Sequence, residues 1–212
     1  MRGAAVLMVA AAIAMAGCGA GTDTPGTVVD LSQVEGAAGV RGITLATPMP
    51  KPTTALTDTA GKPFDLRAAT AGKLTLVFFG FTNCPDICPT TMADLAAARS
   101  LLGAADQAQL RVVFVATDPA RDTPAAVRRW LGQFDSSFIG VTGTWDDVAH
   151  LADQLGVPVQ APRQGSDGSW TVTHGSQVTA FSPDGVARVA YQAGTSVEDY
   201  AHDIPLLLRG EV

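Results

Sequence analysis

Charge is scarce in this sequence: 16% of 212 residues, 14 basic and 20 acidic, with no run of basic residues anywhere. A surface for nucleic-acid phosphates, which needs clustered Lys and Arg, is excluded. Cysteine is rarer still. Three residues, Cys18, Cys84 and Cys88, cannot build a disulfide framework, so any chemistry they carry is local. No apolar run reaches the roughly 20 residues that cross a bilayer. There is no internal repeat and no glycine-rich nucleotide loop. What is abundant is apolar side chain, at 47% of residues, which fits a globular domain and excludes a largely disordered acidic chain. The length suffices for one full-sized core with a tail, not for two large domains.

The chain begins Met1-Arg2 and continues with an uncharged stretch, Gly3 to Gly17, rich in Ala, Val, Leu, Ile and Met. That is the length of a secretory signal's apolar region. It ends in Met15-Ala16-Gly17-Cys18, which resembles the bacterial lipobox with Met15 where Leu is usual. The resemblance implies cleavage ahead of Cys18 and a lipid thioether on its sulfur. The expected organisation is a signal peptide over 1–17, a lipidated cysteine and flexible tether over 18–41, and a folded domain over 42–212. An acidic chain gains no electrostatic attraction to an anionic bilayer, so the lipid must do the anchoring. The expected location is the extracytoplasmic face of the cell membrane. Export also means a compartment that permits disulfides and offers metals outside the cytosolic thiol buffer.

Within the domain, Thr44-Leu45 and Ala55-Leu56-Thr57 read as short strands around a proline-rich turn, and Asp58 to Pro63 as a turn leading to Phe64 and Leu66. Leu74-Thr75-Leu76-Val77-Phe78-Phe79 is an almost unbroken apolar run, the pattern of a central strand covered on both faces. Residues 91–102 have helical composition, with Gly103 as the stop, and Val112 to Val115 is a second buried strand. Thr123-Pro124 opens a helix with an apolar stripe at Val127, Trp130, Leu131 and Phe134. Ser137-Phe138-Ile139 reads as another strand, and Val148, Leu151, Ala152 and Leu155 repeat the helical spacing. β-formers over 169–173, 177–182 and 186–191 around Ser182-Pro183-Asp184-Gly185 predict a hairpin. Ser196 and Asp199 cap a last helix, which Pro205 is expected to kink or split. Alternating strands and helices closed by a hairpin predict an α/β fold, a thioredoxin-like sandwich with a central mixed sheet flanked by helices and an inserted hairpin.

Between the first buried strand and the next helix stands Phe81-Thr82-Asn83-Cys84-Pro85-Asp86-Ile87-Cys88-Pro89. Both sulfurs are thereby placed at the carboxyl end of the sheet, where open α/β folds put their sites. Pro89 suits the first helical position, making Cys88 the N-cap or a near neighbour, where the helix dipole favours thiolate over thiol. Two thiolates on one side suit a soft cation such as Cu(I), and a neutral imidazole can complete a three-coordinate site. The plain alternative is a stabilising disulfide, which for so short a loop contributes only about 2 kcal/mol. Spacing alone does not separate metal binding from thiol-disulfide exchange.

This segment closely resembles the F-x-x-C-P-D-x-C-P signature of the Sco/SenC proteins, thioredoxin-fold copper-binding assembly factors for respiratory cytochrome c oxidase. The resemblance continues in Thr117-Asp118-Pro119-Ala120-Arg121-Asp122-Thr123-Pro124 and in Val172-Thr173-His174-Gly175-Ser176 before the 182–185 turn, spanning about residues 55–205. It implies copper as the cofactor, held as Cu(I) or Cu(II), with Cys84 and Cys88 as thiolate ligands and His174 as the imidazole. Asp118 matches an acidic position with a supporting or redox-modulating role. Asn83 stands where many members have His, Ala116 replaces a common Ser or Val, and Ser182 replaces the turn's Asp, and none of these removes a ligand. The implied function is a membrane-tethered chaperone that delivers copper to the oxidase subunit carrying the CuA site, with no turnover of its own required. A thiol reductant or an upstream copper donor would be a further partner. The alternative from the same cysteines is a thiol-disulfide oxidoreductase that keeps the subunit's cysteines reduced, Cys84 and Cys88 then being the redox pair. Among other candidates, His150 and His202 are assigned no role, Met92 is packing, Arg121-Asp122 is a surface pair, and Trp130, Trp145 and Trp170 are core or rim.

Overall fold

The computed structural model describes residues 39–212. The expected signal peptide, Cys18 and the expected 18–41 tether as far as residue 38 lie outside the described residues. Among the described residues no helix is long and apolar enough to cross a membrane.

The apolar run forms β4 of a sheet whose other strands must be given with it. In chain order these are β1 (Ile43–Pro50), β2 (Ala55–Asp58), β3 (Pro63–Asp65), β4 (Leu74–Gly80), β5 (Leu110–Ala116), β6 (Ile139–Thr142), β7 (Val159–Gln164), β8 (Trp170–His174), β9 (Val178–Phe181) and β10 (Val186–Tyr191). The helices are α1 (Leu66–Ala69), α2 (Ile87–Leu101), α3 (Ala104–Gln109), α4 (Pro124–Leu131), α5 (Trp145–Gln154) and α6 (Val197–Arg209). Eight strands make one sheet in the order β1-β10-β9-β4-β5-β6-β2-β3, while β7 and β8 form a separate antiparallel pair. β4, β5 and β6 are parallel and the remaining pairings antiparallel, so the expected central mixed sheet is present.

Every residue of β4 is buried, as the unbroken run requires. Alternation then divides the core. Leu74, Leu76 and Phe78 pack with α2 residues Met92 and Leu95 and α6 residues Tyr200, Ile204 and Leu207 on one face. Val77 and Phe79 pack with Val148 and Leu151 of α5 on the other. The hairpin β9–β10 turns at Ser182–Gly185 as expected, with Gly185 at φ +83°.

Four features depart from expectation. The strands flanking the proline-rich turn lie in opposite halves of the sheet, β1 against β10 and β2 between β6 and β3. Helix α2 begins at Ile87, four residues earlier than its composition suggests. Helix α6 runs unbroken through Pro205, because Tyr200, Ile204 and Leu207 are buried on both sides of that residue and hold its turn to the core. The strand β7 is new: Val159-Gln160-Ala161-Pro162-Arg163-Gln164 is polar, contains proline and carries no local strand signal.

A buried lysine lies at the junction after β1. Lys51 is 2% exposed and its Nζ donates to Thr70 O at 3.2 Å, Thr70 Oγ1 at 2.8 Å and Thr75 Oγ1 at 2.9 Å. Burial lowers its pKa to about 8, partly offset by the charge of Asp184. Between about pH 8 and its ordinary 10.5 the unfolded chain holds this proton and the folded one does not, so stability from Lys51 rises with pH across that window. Cys88, Tyr191 and Tyr200, whose pKa values burial raises, act in the opposite sense in alkali. The difference between wild type and Lys51→Met isolates the lysine. Urea unfolding should show wild type gaining up to about 3 kcal/mol on the variant from pH 8 to 10.5, and a pH-independent difference would refute the shift.

Candidate metal centre

β4 ends at Gly80, and the chain turns through Phe81 to Cys84, whose N–H donates to Phe81 O at 3.2 Å. Gly80 is required by close approach: a Cβ there would stand 2.8 Å from the Phe114 ring and 3.0 Å from Cys88 Sγ. Helix α2 follows, with Asp86 as its N-cap, so Cys88 is its second residue and Pro89 its third. The expectation that Pro89 opens the helix and Cys88 caps it is therefore corrected by two residues. The N–H of Cys88 donates to Cys84 Sγ at 3.4 Å, bringing one orphan donor of the first helical turn onto the first sulfur.

Cys88 is fully buried and Cys84 half-buried, and both are free thiols. The expected thiolate at Cys88 is not what its surroundings favour. Burial pushes this thiol well above its ordinary pKa, the neighbouring Cys84 adds to the rise, and the Phe81 backbone opposes it only in part. Desolvation outweighs the helix dipole here because Cys88 belongs to the buried apolar cluster, with Phe78 and Phe114 beside its sulfur at Gly80, rather than to the surface.

His174 closes β8 and brings its imidazole to the same point from 86 residues away, with Nε2 3.5 Å from Cys88 Sγ. Its Nδ1 lies 2.9 Å from Gly175 O. A carbonyl only accepts, so Nδ1 carries the proton and Nε2 turns its lone pair to the sulfurs. Burial lowers the His174 pKa, which favours the neutral ring that a metal can use. Phe78 and Phe81 meet that ring edge-on, at centroid distances of 6.0 and 5.7 Å and interplanar angles of 88° and 80°. The two Sγ atoms and one imidazole nitrogen all lie within 4.8 Å of one another. Three ligand atoms about 2.0–2.3 Å from a common ion stand about 3.5–4 Å apart in a trigonal arrangement. The 3.5 Å between Cys88 Sγ and His174 Nε2 already fits that spacing.

The loop after β5 supports the cysteine turn through a residue that sequence reasoning placed on the surface. Asp122 is fully buried, and its Oδ1 accepts from Thr82 Oγ1 at 2.6 Å while its carboxylate accepts the Thr82 N–H at 3.1 and 3.2 Å. Burial raises its pKa, opposed by these Thr82 bonds. The signal was present in the Arg121-Asp122-Thr123-Pro124 motif, but a charged pair before a helix cap gives no hint that one member points inward. Asp118 is also fully buried. Its Oδ2 accepts from Arg121 Nε and its Oδ1 has no hydrogen-bond partner. No hydrogen bond joins Asp118 to Cys84, Cys88 or His174. Asn83 is exposed, and His150 and His202 lie on α5 and α6, outside the ligand group.

Fold and site together define a thioredoxin-like protein with two thiols and an imidazole gathered at the end of its central strand, close enough to hold one metal ion. Residues 51–209 match the SCO1/SenC family, and the chain belongs to it. A putative copper-binding protein of Stutzerimonas stutzeri is 33% identical over 156 residues, covering 74% of this chain and 76% of that one. Mouse mitochondrial SCO2 homolog is 33% identical over 150 residues, but this chain spans only 58% of its length. Among solved structures, copper-bound yeast Sco1 superposes with a TM-score of 0.70 at 28% identity, over 77% of this chain and 91% of that one. Copper-bound ScoI of Bradyrhizobium japonicum does so with a TM-score of 0.67 at 29% identity, over 76% and 99%. The expected fold, family and metal, copper, are borne out.

Proposed function

We propose that Cys84, Cys88 and His174 hold Cu(I) as cargo and that the protein passes it to the CuA-bearing subunit of cytochrome c oxidase during assembly. The observation that carries this reading is the convergence of three ligand atoms from two distant segments within 4.8 Å. A disulfide exchanger needs the two sulfurs alone, whereas this fold also brings in a neutral imidazole with its lone pair on them. Soft thiolates with one imidazole select Cu(I) over hard cations. The half-buried Cys84 is the ligand an incoming thiol of the recipient reaches first, while Cys88 lies behind it. Copper entry displaces the proton that burial holds on Cys88. Cleavage before Cys18 and lipidation of its sulfur would tether the domain to the extracytoplasmic face of the membrane, within reach of an oxidase subunit and of an upstream copper donor or thiol reductant.

Anaerobic Cu(I) competition titrations of wild type, Cys84→Ala and His174→Ala test the ligand set, followed by transfer of the bound copper to a soluble CuA domain monitored by its absorption. His174→Ala is expected to lose at least tenfold in affinity, and Cys84→Ala more. Tight binding undiminished in both variants would refute the reading. Reduction of the CuA-domain disulfide by copper-free protein, unaffected by His174→Ala, would favour the oxidoreductase alternative.

A further inference from the structure

β7 and β8 pair with each other and not with the main sheet, so the strand that ends in His174 needs other contacts to fix its position. Trp170, Val172 and His174 are half-buried and alternate with exposed Thr171 and Thr173. The Trp and His side chains therefore leave β8 on one face, roughly 13 Å apart along the strand. His174 meets the sulfurs and two Phe rings at one end. At the other, the guanidinium of Arg121 lies over the Trp170 ring, 4.7 Å from its centroid.

Arg121 is itself anchored, since its Nε donates to Oδ2 of the fully buried Asp118. A cation between a buried carboxylate and an aromatic face is attracted by both. Two more atoms of this cluster, Asp118 Oδ1 and Trp170 Nε1, are buried with no hydrogen-bond partner. An acceptor and a donor in that condition destabilise the docked arrangement, so the stack on Arg121 is set against a cost that opening relieves.

We propose that Arg121 and Trp170, footed on Asp118, form a latch that keeps His174 over the sulfurs, and that its opening takes the site from three ligands to two as copper is handed on. Arg121 and Trp170 are positioning residues, acting through His174. The proposal rests on the copper reading above. The apparent Cu(I) affinity then scales with the fraction of molecules whose hairpin is docked.

The test uses the full-length chain, with Cu(I) affinity and the rate of copper loss to a chromogenic chelator measured anaerobically. Trp170→Leu removes the stack and leaves the Asp118–Arg121 pair in place. It should weaken binding and speed release by about three- to tenfold, and Trp170→Phe should recover most of both. Arg121→Lys, which keeps a cation by Asp118 but has no planar face for the ring, should show the same loss and serves if Trp170→Leu does not fold. In a His174→Ala background Trp170→Leu should change nothing further. An equal loss with and without His174, or no loss in a folded Trp170→Leu or Arg121→Lys protein, overturns the latch while leaving the copper site standing. If His174→Ala alone binds copper as wild type does, the three-ligand reading falls and the latch with it.

Discussion

Replacing Cys88 by Ser is expected to lower Cu(I) affinity by more than about 100-fold. Changing a residue that merely orients a ligand costs 10–100-fold in metal affinity, and removing a thiolate goes beyond that. Ser fits the space but offers a hard, protonated oxygen in place of a soft sulfur. The site cannot compensate from solvent, because Cys88 is fully buried. A pH signature accompanies the loss. Burial raises the Cys88 pKa, so this thiol is protonated at neutral pH and must shed one proton to take copper. Wild-type affinity should then rise about tenfold per pH unit from this group, and Cys88→Ser should lack that dependence. Competition titrations between pH 6.5 and 8.5 read both. An affinity within tenfold of wild type would remove Cys88 from the ligand set.

Asp203→Ala should cost several kcal/mol of stability, a large loss for a polar residue outside the site. This fully buried carboxylate of α6 accepts the Arg41 N–H at 2.9 Å, the Gly42 N–H at 2.8 Å and the Tyr191 hydroxyl at 3.1 Å, and His202 Nδ1 lies 2.8 Å away. It ties the entry to β1 to the last helix, across more than 160 positions of sequence. Burial and the Asp203 charge together hold the Tyr191 phenol well above its ordinary pKa, so the hydroxyl remains a donor. Alanine leaves the Gly42 N–H and the Tyr191 hydroxyl without an acceptor, at about 1–3 kcal/mol for each buried group. The expected cost is about 3–5 kcal/mol, or a Tm lower by about 10 °C. Asp203→Asn, which keeps one acceptor oxygen, should lose about half as much. Thermal and urea unfolding decide it, and a loss under about 1 kcal/mol would mean that residues 41 and 42 are held by other contacts.

The main lines of the fold were legible because they rest on short-range pattern. A short, β-branched and aromatic run of apolar residues bounded by glycine reads as a central strand covered on both faces, and β4 is buried at every position. Thr123 before Pro124 is a local cap, and its Oγ accepts the Ala126 N–H. Pattern failed where burial came from elsewhere in the chain. β7 is a strand because β8 pairs with it, not because its residues prefer to be one. Pro205 stays inside α6 because the core holds the turns on either side of it. Asp122 reads as surface charge and is an internal acceptor for Thr82. At Cys88 the helix dipole acts with the expected sign, and desolvation exceeds it.

Residue pattern was enough to put two thiols between a buried strand and a helix, to read an α/β sandwich and, through three ordered motifs, to find a resemblance to Sco/SenC proteins. The tertiary structure alone decided that His174 lies 3.5 Å from Cys88 with its lone pair on the sulfur, that one thiol is sealed from water while the other is open, and that Arg121 lies on Trp170. The reason is physical. Residue type and spacing act over a turn or a strand, whereas the meeting of side chains 86 positions apart is set by how the sheet and a separate hairpin pack, which leaves no mark on the residues nearby.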